Sequence, residues 1–185
     1  MNDIFKNRRS IRKFKRRDID KNILNYIADA ARLAPYPANL QPVKLCIVRE
    51  KADEVFGCIK WAGYLPDWAP EKSEAPATYI AILGDRDIKK NEEFELEAGI
   101  AGTAISFAAE KCGVSSCWLG AIDRAKISGI LDLPDNLKLM YVIALGYADQ
   151  ESEAYDSNET VRYSMDSNGK IHVPKRDFNS VVFYK

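Results

Sequence analysis

The amino-acid sequence predicts an α+β domain, and three observations carry that expectation. Apolar runs of strand length occur at Val43–Val48, 77–83 and 139–147. Stretches at 21–33 and 92–111 repeat apolar residues every three or four positions, the period of a buried helical face. Asn168-Gly169 separates two alternating runs, the strongest short-range signal for a hairpin. No G-x-G-x-x-G follows a strand, so a dinucleotide-binding unit of the Rossmann type is not supported.

A chain of 185 residues fits one domain, or one domain with an arm: a core over 1–150 and a C-terminal hairpin and arm over 151–185. Hydrophobic content of 46% beside 29% charged residues is ordinary for a soluble protein. Lysine plus arginine equals aspartate plus glutamate at 27 each, so no global field draws the chain to nucleic acid or to a membrane. Cys46, Cys58, Cys112 and Cys117 show no C-x-x-C spacing and His172 is the only histidine, which argues against a zinc site or a Cys/His nucleophile. Reduced thiols, a polar start without a signal peptide and no apolar stretch of spanning length suggest a cytoplasmic protein.

In chain order, Arg8-Arg9-Ser10-Ile11-Arg12-Lys13-Phe14 comes first, inside a run of eight basic residues and no acid over 6–17. If it is extended, Arg8, Ser10 and Arg12 point one way and Arg9, Ile11 and Lys13 the other, making a fork of guanidinium groups around a hydroxyl. Such a fork suits phosphate oxygens, although a solvated basic patch has the same composition. Asp18 or Asp20 can cap the following helix, whose stripe is Ile23, Ile27, Ala31 and Ala34.

Next, Pro35-Tyr36-Pro37-Ala38-Asn39-Leu40-Gln41-Pro42 holds three prolines in eight residues and should run extended and stiff. It is either a connection to the next strand or a rigid loop offering the amides of Asn39 and Gln41 to a flat ring. A strand at Val43–Val48 and a helix at 51–60 follow. The irregular stretch 61–74 carries Trp61, Tyr64 and Trp68, which either cover the core or form a mobile wall over a planar ligand. Residues 77–83 read as an internal strand with both faces covered.

The longest helix, 92–111, aligns Phe94, Ala98, Ala101, Ile105, Ala108 and Cys112 on one face. Gly99 and Gly102 on other faces need close packing or a subunit contact to offset a helix penalty of roughly 1 kcal/mol each. Gly113 ends it, and Cys117-Trp118-Leu119-Gly120 reads as a short strand entering a glycine turn, where backbone N–H groups can face a ligand. A short helix at 124–131, the strand 139–147 and an acidic connector at 149–159 lead to the hairpin. There Val161, Tyr163 and Met165, then Ile171 and Val173, alternate with polar residues. Lys175 and Arg176 are a second cationic pair, and 177–185 is an apolar arm in need of a partner surface.

Taken together, the Arg8 to Phe14 motif, the Pro35 to Pro42 loop, the Gly99-containing helix, Gly113 with Cys117-Trp118-Leu119-Gly120, and Leu145-Gly146-Tyr147 resemble the nitroreductase family of flavin enzymes in order and spacing. The resemblance implies a mostly antiparallel central sheet flanked by helices, in an intertwined homodimer with C-terminal arm exchange and FMN between subunits. By the same resemblance, Arg8, Arg9, Ser10 and Arg12 hold the phosphate and pyrimidine edge. Pro35, Tyr36, Pro37 and Asn39 line the ring from the other subunit, Leu119 and Gly120 lie beside it, and Lys175 and Arg176 complete the phosphate site. NADH or NADPH delivers hydride to flavin N5, and a small electron-poor acceptor such as a nitroaromatic or quinone takes it in a ping-pong cycle. Arg12 stabilises the reduced flavin. Tyr36-Pro37 departs from the family's serine and Val43 from its tryptophan, which changes the pocket at that loop. Alternatives are a reductive dehalogenase-like or flavin-degrading relative, or a non-enzymatic module using the basic cluster for nucleic acid.

Overall fold

The polypeptide wraps both faces of one twisted sheet. The computed structural model describes residues 3–185. Its main sheet is antiparallel throughout, in the order β1 (Phe14–Lys15), β5 (Leu137–Ala148), β3 (Thr78–Asp85), β2 (Val43–Val48), with β4 (Ser115–Leu119) also paired to β5. All eight residues of β3 are buried, as a run without polar alternation requires. The period of two sends Tyr79, Ala81 and Leu83 into one cluster and Ile80 and Ile82 into the other.

The second cluster lies under α2 (Lys21–Arg32) and α4 (Glu95–Lys111). Asp20 caps α2, its carboxylate accepting the Asn22 N–H at 2.7 Å. The buried stripe of α2 is Leu24, Ile27 and Ala31. It is rotated from the expected stripe because the sheet also takes up Leu24, leaving Ile23 and Ala34 only half-buried. On α4, Phe94, Ala98, Ala101 and Ile105 face the sheet as their spacing predicts. Gly102 exists for packing: a Cβ there would lie 2.0 Å from the Trp118 ring. A Cβ on Gly99 would meet nothing within 4 Å.

The opposite face carries α3 (Ala52–Phe56), α5 (Arg124–Ile130) and the aromatic segment after α3. The helix expected over 51–60 stops at Phe56. Residues 58–60 instead form a ribbon with 121–123, through an Ile59–Ile122 bridge and a 2.9 Å bond from Lys60 N–H to the Ala121 carbonyl.

A second, small sheet follows in the order β6 (Ser152–Asp156), β8 (Ile171–Lys175), β7 (Ser164–Met165). β7 and β8 form the expected hairpin, with Gly169 at φ 81° in its turn. The acidic connector contributes β6, which pairs parallel to β8. His172 fastens the layer, its Nδ1 lying 2.9 Å from Glu153 and its Nε2 3.1 Å from Asp166. A short helix, α1 (Ile4–Asn7), precedes the basic motif, and α6 (Phe178–Val181) lies near the end of the chain. Among the described residues, no helix is long and apolar enough to cross a membrane.

Candidate functional site

The basic motif takes its position from backbone bonds on both sides. Arg8 leaves α1 with its N–H bonded to the Ile4 carbonyl at 3.0 Å. Ser10 forms a parallel bridge with Ser116 of β4, and the Ile11 N–H donates to the Ser116 carbonyl at 3.0 Å. Ile11 and Phe14 are buried, so the motif is pinned to the sheet by its apolar members while its cations are half-buried.

Both Arg12 and Arg8 act on the buried Cys117 thiol, whose pKa burial nonetheless pushes up, so it stays neutral. Arg9 turns elsewhere. It donates to the Lys6 carbonyl at 2.8 Å and lies near Glu110 of α4. Burial first, then Arg8, lowers its pKa, and its Nε is buried without a hydrogen-bond partner.

The cations around this motif sort into two kinds. Lys6 is paired with Asp3 at 3.8 Å, Lys13 with Glu74 at 2.7 Å and Arg16 with Asp53 at 3.0 Å. Arg8, Arg9 and Arg12 form no ion pair among the described residues. Arg8 and Arg12, guanidinium groups on either side of Ser10 in the sequence and without an ion-pair partner among the described residues, have the chemistry that suits a phosphate ester.

The other expected residues lie on separate surfaces. The proline loop is not extended. It makes a 3₁₀ turn at Pro37–Asn39, and Ala38, Asn39 and Gln41 have φ of 49°, 52° and 51°. Each proline fixes its own φ, so the reversal falls on the residues between, at a steric cost that clusters at functional loops. Tyr36 turns inward, its hydroxyl donating to the Ala31 carbonyl at 2.8 Å, while Pro35, Pro37 and Asn39 are exposed. Leu119 buries its side chain in the core, so a ligand there meets the backbone of Leu119 and Gly120. Lys175 ends β8, and it and Arg176 are exposed. Among the described residues, no hydrogen bond or ion pair joins the arginine motif to the proline loop or to Lys175 and Arg176.

With the geometry in hand, comparison with known proteins is decisive. The sequence profile of the nitroreductase family matches residues 5–147. The chain belongs to the nitroreductase family. A protein of Archaeoglobus fulgidus named as an NADH dehydrogenase/NAD(P)H nitroreductase is 29% identical to this nitroreductase-family chain, over 91% of this chain and 94% of its own. An iodotyrosine deiodinase of Thermotoga neapolitana is 25% identical over 88% and 96%. The structure of an FMN-dependent nitroreductase from Clostridium difficile R20291 superposes with a TM-score of 0.71 at 28% identity, covering 86% of this chain and 94% of that one.

Within this member of the nitroreductase family, two residues beside Arg12 escape sequence reasoning, Tyr163 and Gln150, whereas Tyr64 belongs to the aromatic stretch that it singles out. Tyr163 places its ring 4.6 Å from the Arg12 guanidinium, Gln150 accepts the Arg12 backbone N–H at 3.1 Å, and Tyr64 bonds Tyr163. The alternation of Val161, Tyr163 and Met165 is the signal available for Tyr163, which lies just before β7 and packs against the core. Gln150, in a polar connector, carried none.

Proposed function

We propose that this chain is an FMN-dependent NAD(P)H oxidoreductase that passes hydride equivalents to a small, flat, electron-poor acceptor, a nitroaromatic or quinone. The observation that carries this reading is that Arg8 and Arg12, on either side of Ser10, have no ion pair among the described residues, in a chain of this family. Arg8, Arg9 and Ser10, with Lys175 and Arg176, would hold the phosphate, and Arg12 would sit at the pyrimidine edge. Leu119 and Gly120 would offer backbone groups to the ring. Bound flavin supplies two-electron hydride chemistry.

The chain itself binds, orients and excludes water. No side-chain acid is required for hydride transfer, and the lone histidine is already engaged by Glu153 and Asp166. One ring face served in turn by donor and acceptor gives a ping-pong order. Reduced cysteines, all four free, suit a cytoplasmic setting.

The residues lining the ring from Pro35, Tyr36, Pro37 and Asn39 would come from a second copy. Two features support a homodimer. An apolar groove of about 570 Å³ lies along α4, lined by Pro35, Leu96, Gly99 and Ile100 among others. The arm exposes Phe178, Val181, Phe183 and Tyr184 at 63%, 61%, 76% and 88%. Residues 151–185 would thus serve both the phosphate site and the partner.

The test is the visible spectrum of the purified protein during gel filtration. A flavin band travelling at dimer size is expected, and colourless protein that takes up no added FMN would overturn the assignment. Similarity to an iodotyrosine deiodinase favours reductive dehalogenation as a second reading. Halide release from a halogenated phenol, measured beside nitro-compound reduction, decides between them.

A further inference from the structure

Arg12 carries the charge that the flavin reading sets beside the ring, yet an arginine side chain left to itself spreads that charge over many rotamers. Here it is held. Its guanidinium carbon lies 4.6 Å from the centroid of the Tyr163 ring, within cation–π range. Its Nη1 donates to the Ser10 carbonyl at 3.3 Å, and its backbone N–H donates to Gln150 Oε1 at 3.1 Å. Gln150 in turn donates through Nε2 to the Gly169 carbonyl at 3.3 Å, so the hairpin turn is tied to the Arg12 backbone.

Tyr163 is fixed as well. Its hydroxyl accepts the Tyr64 N–H at 3.3 Å, and the two rings stand 5.1 Å apart at 58°. The hairpin therefore meets Arg12 through Tyr163, and the aromatic segment, about a hundred residues earlier, backs that ring through Tyr64. A tyrosine face suits this task better than a carboxylate. It attracts the guanidinium without neutralising it, and the full unit charge remains for a ligand.

We propose that Tyr163 is a positioning residue that fixes the Arg12 guanidinium and thereby raises the reduction potential of bound FMN, a role that rests on the flavoprotein reading above. Reduction places added negative charge toward the pyrimidine edge of the flavin. A preorganised cation favours that state more than one that must first be ordered.

The experiment compares Tyr163→Leu and Tyr163→Phe with the parent protein. Potentiometry reads the FMN-loaded forms, and arginine Nε–H NMR reads the FMN-free forms. Tyr163→Leu should weaken binding of reduced FMN about tenfold more than oxidised FMN, which is a fall of about 30 mV in a two-electron potential. Its Arg12 Nε–H signal should become averaged by motion. Tyr163→Phe keeps the ring and should match the parent in both measurements.

An unchanged potential in Tyr163→Leu with FMN still bound overturns the proposal, as does a Tyr163→Phe variant that falls equally far. An Arg12 signal indifferent to Tyr163→Leu overturns the positioning whether or not flavin binds. Parent protein that takes up no FMN overturns the flavoprotein reading and the effect on potential that rests on it, and the Arg12 signal then decides the positioning.

Discussion

Gly102→Ala tests the packing that holds β4, and with it the basic motif, against α4. The added Cβ would lie 2.0 Å from Cζ3 and 2.3 Å from Cη2 of Trp118. Carbon atoms settle at about 3.5–4.0 Å, so the ring must retreat by roughly 1.5 Å. Tyr141 blocks its way, with ring centroids 5.2 Å apart in an edge contact. Overpacking of that size falls near the upper end of its usual range, about 3 kcal/mol. Alanine returns about 1 kcal/mol of helix propensity, leaving a net loss of about 2 kcal/mol. Urea unfolding at one fixed protein concentration measures it, since any association adds to apparent stability. Gly99→Ala on the same helix meets nothing within 4 Å in one chain and should gain about 1 kcal/mol. A Gly102→Ala protein as stable as the parent would refute the packing argument. A Gly99→Ala protein that gains nothing and dissociates more readily would mean that Gly99 lies against a second copy.

Further outcomes are expected elsewhere. Arg8→Ala should release FMN on gel filtration while circular dichroism stays unchanged, because Arg8 has no ion pair to lose. Lys89→Ala strips the partner from the buried Glu97, now bonded at 2.9 and 3.1 Å, and should cost about 3 kcal/mol in urea unfolding; Glu97→Gln in that background should recover part of it. The His172 pKa is raised, through Asp166 first and also Glu153, so an NMR titration should place its midpoint above the ordinary imidazole value. A raised value means its contribution is complete below an unfolded pKa of about 6.5 and is lost as pH rises through the folded value, so hairpin amide exchange should quicken there and His172→Gln should abolish the dependence. Glu153 and Asp166 are shifted down, through Lys170 and His172 respectively, so their share is lost as pH falls through their own folded values. Cys117, buried and with its pKa pushed up, should be the slowest of the four thiols toward a disulfide reagent.

How far the chain could be read in advance followed from which residues report on burial. β3 and the sheet face of α4 were legible because burial on one or both faces leaves a periodic trace. β6 left none. Four of its five residues are exposed, so the strand is defined by backbone pairing to β8, and no apolar alternation marks it. The helix at 51–60 was overextended because pairing of 58–60 with 121–123 is a non-local bond that no window of sequence contains. The proline loop turns where its composition predicts an extended path, because prolines fix their own φ and leave the left-handed turn to Ala38, Asn39 and Gln41. At the site, the cluster of arginines around Ser10 is legible in the sequence itself. The convergence of Tyr163, Tyr64 and Gln150 on Arg12 is not, because it depends on where a distant hairpin lands.

The pairing of Phe14 with Ala148 has a consequence for biosynthesis. The arginine segment leaves the ribosome early, yet the strand beside it is among the later parts of the core to be made. At typical elongation rates the interval is about 7 to 27 seconds. Throughout it, a strongly basic strip faces the crowded interior of the cell with no sheet to lie on. On the flavoprotein reading, an anion at this segment would have to wait for completion of nearly the whole polypeptide, so nascent fragments should be unable to retain FMN.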